Sequence, residues 1–197
     1  MTSANRRSTL LSTVMPTPTT AVRGGLRTAA LVVAGVAFLA LLAQIRLQIG
    51  VVPVTGQTLG VLLLGAAYGA RLGAMTSGAY LLFGVAGMPL FTGGQSGFAY
   101  LMGPTGGYLV GFVVAATLLG ALAERGWDRS MRLTAVAMLV ASLVIYAFGL
   151  TWLHFAVGGS WLRAIELGML PFVAGDLIKL GLATVLLPTA WRLLGKR

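Results

Sequence analysis

At 197 residues, with 57% of them hydrophobic and only 9% charged, this chain lies far from the roughly 25% charged content of a soluble domain, and its mean hydropathy of +0.91 marks a polytopic membrane protein with room for one small bundle. The absence of cysteine excludes disulfides, thiolate metal sites and cysteine nucleophiles. A net charge of +10, from 14 Lys and Arg against four acids, would suggest nucleic acid in a soluble chain, but here the basic residues sit at the ends of apolar runs, so the membrane accounts for them.

Residues 1–25 are polar, with Pro16 and Pro18 among serines and threonines, and are expected to form a disordered cytoplasmic tail. The apolar stretch after Arg6 and Arg7 is too short and too broken for a cleavable signal. Residues 26–197 form the membrane domain, with apolar segments at about 28–47, 54–69, 72–88, 106–124, 133–155 and 167–191. With the N-terminus inside, eleven basic residues fall on the cytoplasmic side and only Arg46 and Arg163 outside. That positive-inside bias predicts an all-α polytopic membrane protein, a six-transmembrane-helix bundle with both termini cytoplasmic.

In the first span, Ala30 and Ala34 form a small-xxx-small pair that lets another helix approach closely. Packing within the protein and docking of a partner are both open readings of it. Between the first two spans, Pro53 breaks any helix, and Thr55, Gln57 and Thr58 bring hydrogen-bonding groups to the mouth of the second span. Residues 87–107 hold seven glycines and two prolines with no charge. Glycine at that density disfavours helix, yet the residues between are apolar or aromatic, among them Phe91, Phe98, Tyr100, Leu101 and Met102. Irregular backbone at membrane depth is tolerated only where protein buries it or it lines a cavity. These irregular outer loops are therefore expected to cap a ligand pocket, with Gln95 as the most capable polar group of the second one. Residues 124–132 read as a cytoplasmic turn with Trp127 at the interface.

The last span carries the strongest signal. Asp176 and Lys179 lie within Leu167–Trp191, 25 residues without any other charge. A charge at mid-membrane costs roughly 3 kcal/mol on insertion scales. At i and i+3 the two share one helix face and can touch. An intrahelical pair that neutralises itself is one reading; a polar site facing a cavity is the other. The second is favoured, because such residues usually face a bundle interior or a solute path.

Catalytic chemistry is not in view. No phosphate-loop motif is present, so the chain is not expected to hydrolyse ATP. His154 is the only histidine and lacks the context of a zinc protease, while Ser77, Ser96 and Ser142 have no base at recognisable spacing. No catalytic residue, cofactor or metal ligand is expected.

Three stretches together resemble the BioY family, the biotin-specific membrane components of energy-coupling-factor (ECF) vitamin transporters. The first is Val52-Pro53-Val54-Thr55-Gly56-Gln57-Thr58-Leu59-Gly60. The second runs from Gly87-Met88-Pro89-Leu90-Phe91 through Gly93-Gly94 and Gly97 to Gly103-Pro104-Thr105-Gly106-Gly107-Tyr108-Leu109. The third is Gly175-Asp176-Leu177-Ile178-Lys179. The resemblance covers about residues 26 to 191.

It implies a substrate-capture subunit, the S component, in a bacterial cytoplasmic membrane, holding biotin in a pocket near the outer face. In the family that pocket is roofed by the loops after the first and third spans and walled by the last three helices. The implied partners are one transmembrane coupling protein and two cytoplasmic ATPase subunits, with Ala30 and Ala34 on the surface that engages the coupling protein. Asp176 can accept from a ureido N–H of biotin, and Lys179 can donate to the ureido oxygen or to the carboxylate. Gln95 and Gln57 complete the polar set, and Phe91, Tyr100 and Tyr108 offer apolar walls. A different vitamin on the same scaffold, or a membrane scaffold protein in which Asp176 and Lys179 are only structural, are the rival readings.

Overall fold

The computed structural model of the protein describes residues 8–15 and 20–194. Among these residues the chain forms α1 (Leu10–Val14), α2 (Ala21–Gln44), a short ribbon of β1 (Arg46–Leu47) and β2 (Val54–Thr55), α3 (Gln57–Tyr68) and α4 (Ala70–Val85). It continues with α5 (Phe98–Met102), α6 (Gly106–Glu124), α7 (Met131–Val157), α8 (Trp161–Gly168) and α9 (Leu170–Leu194). Helix dominates because long apolar segments satisfy every backbone N–H and C=O within themselves. Local starts are written in side chains: Ser130 accepts from the Leu133 N–H at 3.3 Å to open α7, and Ser160 accepts from the Arg163 N–H at 3.3 Å to open α8.

Four helices, α2, α6, α7 and α9, are long and apolar enough to cross a membrane. The second and third expected segments become α3 and α4, with 12 and 16 residues. At 1.5 Å per residue these rise about 18 and 24 Å, short of a core about 30 Å thick. The break between them is Gly69, whose φ of +83° ends α3. Glu124 Oε1 then accepts from the Ala70 N–H at 2.8 Å, placing a carboxylate at the positive end of α4. Glu124 is thus a helix cap, which its place in a turn had not suggested.

Three further features differ from the sequence expectation. Of the expected disordered tail, residues 1–7 and 16–19 lie outside the described residues, but Leu10–Val14 is helical and Ala21 already belongs to α2. Thr9 and Ser12 form a reciprocal capping box that starts α1, and Leu10 packs onto the core. Between α2 and α3 the chain is an antiparallel ribbon, pairing Arg46 with Thr55 and Leu47 with Val54, where only irregular backbone was expected. Within residues 87–107 lie a single 3₁₀ turn at Thr92–Gly94 and the short α5. Phe91 and Thr92 are fully buried there, as a packed loop requires.

The core gathers around α6, which is packed by α3, α4 and α7. Small residues set these distances. A Cβ on Gly65 of α3 would lie 2.7 Å from the Ala116 carbonyl oxygen of α6, so only glycine permits that approach. Leu109, Phe112 and Leu119 of α6 bury against Val61, Leu62, Met138 and Ile145. Large apolar side chains also point outward, including Val33 and Leu41 on α2, Leu143 on α7, and Ile178 and Leu182 on α9. In water such a surface would be a liability; in hydrocarbon it is the expected solvent contact.

Candidate functional site

Asp176 and Lys179 meet on one face of α9, with Nζ 3.0 Å from Oδ1. Two neighbours complete the arrangement. Lys179 Nζ donates to Thr58 Oγ1 at 2.8 Å, at the first turn of α3, and the Tyr146 hydroxyl of α7 donates to Asp176 Oδ2. The two charged side chains are only 20% and 16% exposed. Burying an ion pair is costly unless further hydrogen bonds occupy its remaining valences. Thr58 and Tyr146 supply those bonds from two other helices, so the pair is one part of a four-residue network joining α3, α7 and α9.

This network forms one wall of a cavity of about 40 Å³. The ribbon region contributes Val52, Pro53 and Thr55, and α3 contributes Gln57 and Thr58. The 87–107 loop adds Thr92, Tyr100 and Thr105; α6 adds Tyr108, Leu109 and Phe112; α7 adds Ser142, Ile145 and Tyr146; and α9 adds Phe172.

Several of these side chains are anchored from behind. Gln57 is 4% exposed; its Oε1 accepts from Thr55 at 2.9 Å and Thr92 at 3.0 Å, and its Nε2 donates to Tyr80 at 2.8 Å. One amide N–H therefore remains for an occupant. The Tyr108 hydroxyl donates to the Gly168 carbonyl at 2.7 Å, and its ring stacks near Phe172 at 6.2 Å. Tyr100 stacks on Phe91 at 5.0 Å, and Phe91 in turn meets Tyr80 edge-on at 5.6 Å. Gly84 allows this, since a Cβ there would lie 2.2 Å from the Phe91 ring.

Of the residues singled out from sequence, Asp176, Lys179, Gln57, Tyr100 and Tyr108 line the cavity. Phe91 does not; it is fully buried behind Tyr100 and shapes the wall at one remove. Gln95 does not either. It lies in an adjoining vestibule of about 320 Å³ with Arg46, Gln48 and Ala99. Ala30 and Ala34 are exposed on α2, away from the cavity.

Sequence reasoning missed Tyr146, Ser142, Thr92 and Phe172. Ser142 and Tyr146 carried a usable signal, because two polar groups four residues apart in an apolar segment share a helix face. Nothing local marks Phe172 or Thr92, which acquire their place only through packing.

The chemistry on offer is recognition. Lys179 uses two of its three N–H bonds internally and keeps one, while each oxygen of Asp176 has accepted one bond and can accept another. The pair is neutral as a whole. It suits an uncharged group that presents N–H donors beside a carbonyl, against aromatic walls.

A family model described as the BioY family matches residues 10–196, reaching back through α1. The chain is 39% identical over 158 residues to the biotin transporter BioY2 of Lactococcus lactis subsp. cremoris, covering 79% of this chain and 85% of that one. It is 37% identical over 164 residues to the biotin transporter BioY of Rhizobium etli, covering 80% and 87%. Among solved structures it is similar to an S-component for biotin from an ECF-type ABC transporter, with a TM-score of 0.76 and 25% identity over 89% of this chain and 95% of that one.

Proposed function

The chain belongs to the BioY family, and on that premise we propose that it captures biotin and carries its uptake across the membrane as the S component of an ECF-type transporter. The observation that carries this reading is the Asp176–Lys179 pair turned into a walled cavity, tied to α3 and α7 through Thr58 and Tyr146. Biotin's ureido group has two N–H donors and one carbonyl, complementary to the free valences of Asp176 and Lys179. Charge-assisted bonds of this kind are strong where water is excluded. Tyr100, Tyr108, Phe112 and Phe172 would flank the apolar bicycle, and Gln57 would offer its remaining N–H. Phe91 supports Tyr100 from behind.

A cavity of about 40 Å³ is narrower than the 300–1,000 Å³ of small-molecule sites. Biotin would enter by displacing the segments that roof it, the ribbon region at Pro53 and the loop carrying Thr92, Tyr100 and Thr105. In the bilayer all six apolar segments would cross, with α3 and α4 as short spans and both termini cytoplasmic, as the eleven-to-two basic asymmetry supports. The partners on this reading are a transmembrane coupling protein and two ATPase subunits, with the exposed Ala30 and Ala34 of α2 as a docking face.

Equilibrium binding of tritiated biotin to the purified protein tests the reading. Saturable binding that other vitamins do not displace is expected. Absence of saturable binding, or equal displacement by an unrelated vitamin, overturns it.

A further inference from the structure

The vestibule of about 320 Å³ adjoins the cavity, since the two share Pro53, Thr92, Tyr100 and Thr105 in their linings. Arg46 of β1 stands in it. The ribbon pairs Arg46 with Thr55, itself a lining residue of the inner cavity, so the two residues are neighbours across the ribbon. The exposed guanidinium lies against the loop: a Cβ on Gly93 would lie 2.0 Å from Arg46 Nη1, and Gly93 adopts φ +72°. The Arg46 side chain has no hydrogen bond or ion pair among the described residues. Each of the four acids is committed elsewhere: Asp176 to Lys179, Glu166 to Arg163, Glu124 to the Ala70 N–H and Asp128 to Trp191.

The two chambers thus differ in charge. The inner one holds a compensated pair, and a carboxylate entering it would leave an uncompensated negative charge in a poorly solvated space. The outer one holds an uncompensated cation beside the side-chain amides of Gln48 and Gln95.

We propose that the vestibule is a carboxylate subsite in which Arg46 receives the acid tail of the ligand while its uncharged head occupies the inner cavity. This rests on the biotin reading above and decides between the two orientations open from sequence. The ureido group meets Asp176 and Lys179, and the valerate carboxylate meets Arg46. Arg46 also places a positive charge at the vestibule, where it raises the encounter rate of a small anion at low ionic strength.

The test compares biotin with its methyl ester on the purified full chain and on Arg46→Gln and Arg46→Lys. The unaltered protein should prefer the acid. Arg46→Gln should weaken biotin by about tenfold or more, the scale of one charge-assisted bond, while ester affinity stays within about twofold. Arg46→Lys should restore part of the preference for the acid, which a merely structural role for Arg46 would not produce. Equal affinity of the unaltered protein for acid and ester, or an equal loss of both in Arg46→Gln, overturns the subsite while leaving the biotin reading intact. Failure of the unaltered protein to bind biotin overturns that reading, and the subsite with it.

Discussion

Asp176 and Lys179 can reside in an apolar helix because each has a second partner: Tyr146 on the carboxylate and Thr58 on the ammonium. This sharpens the contrast between a structural and a ligand-binding role. If the pair grips biotin, Asp176→Asn and Lys179→Met should each cost one charge-assisted bond, about 1.5–3 kcal/mol or a ten- to hundredfold loss of affinity. The bundle should stay folded, since helix packing does not depend on the pair. The double variant decides the matter. A purely structural pair can be replaced by two neutral groups at little cost, so normal biotin binding by Asp176→Asn with Lys179→Met would sink the assignment. Tyr146→Phe removes the donor that orients Asp176 and should lower affinity in the same direction, with an unchanged melting profile; undiminished affinity would show that the carboxylate needs no such orientation.

At the scale of elements, the end of the bundle remote from the ribbon is tied by polar side chains that no spacing rule pointed to. In the turn between α6 and α7, Asp128 is 2% exposed, and its Oδ2 accepts from Trp191 Nε1 of α9 at 2.6 Å. Arg129 lies over the Trp191 ring at 4.6 Å and donates to the Ser8 hydroxyl at 2.8 Å, fastening the segment that leads into α1. Burial pushes the Asp128 carboxyl above its ordinary range, opposed by the Trp191 N–H and the Arg129 charge. The folded protein therefore keeps this proton to a higher pH than the unfolded chain does. Its contribution to stability is greatest below the unfolded pKa, about 3.9, and is lost as pH rises through the raised folded value. Asp128→Asn should flatten that dependence while its amide oxygen still accepts from Trp191. Melting temperatures of the two proteins between about pH 4 and pH 7 are the check, and parallel curves would contradict it.

For the whole molecule, the proposed orientation places the α3–α4 corner and the α6–α7 turn on the cytoplasmic side. Reporter fusions after Arg71 and Arg129 should read as cytoplasmic, and fusions near Gly94 and Gly158 as external. An external signal at Arg129 would reverse the topology. The exposed Ala30 and Ala34 predict a second outcome. Replacing both with Trp should block co-purification with the coupling protein and ATPases while leaving biotin binding intact, because close helix approach tolerates no bulk at that surface. Retained assembly would make the pair a lipid-facing surface instead.

The helical, membrane-crossing character of the chain and the contact between Asp176 and Lys179 were legible in the sequence, because hydrocarbon imposes harsh rules. Apolar length sets the helices, and charge in the middle of one is costly enough to stand out from the residues around it. Gln57 and Tyr100 were legible as polar or aromatic groups in uncharged irregular stretches, and Tyr108 only through the family resemblance. What lies around them was not. Which face of α7 turns inward, and so whether Tyr146 reaches Asp176, depends on how α7 and α9 pack. Gln95 and Phe91 stand in the same loop as Tyr100, yet one faces the vestibule and the other the core. Positive φ at Gly93, Gly94 and Gly97 turns successive side chains in directions that no period describes. Periodicity carries direction only along regular helix or strand; through a glycine-rich loop, direction is decided by the packing of the tertiary structure.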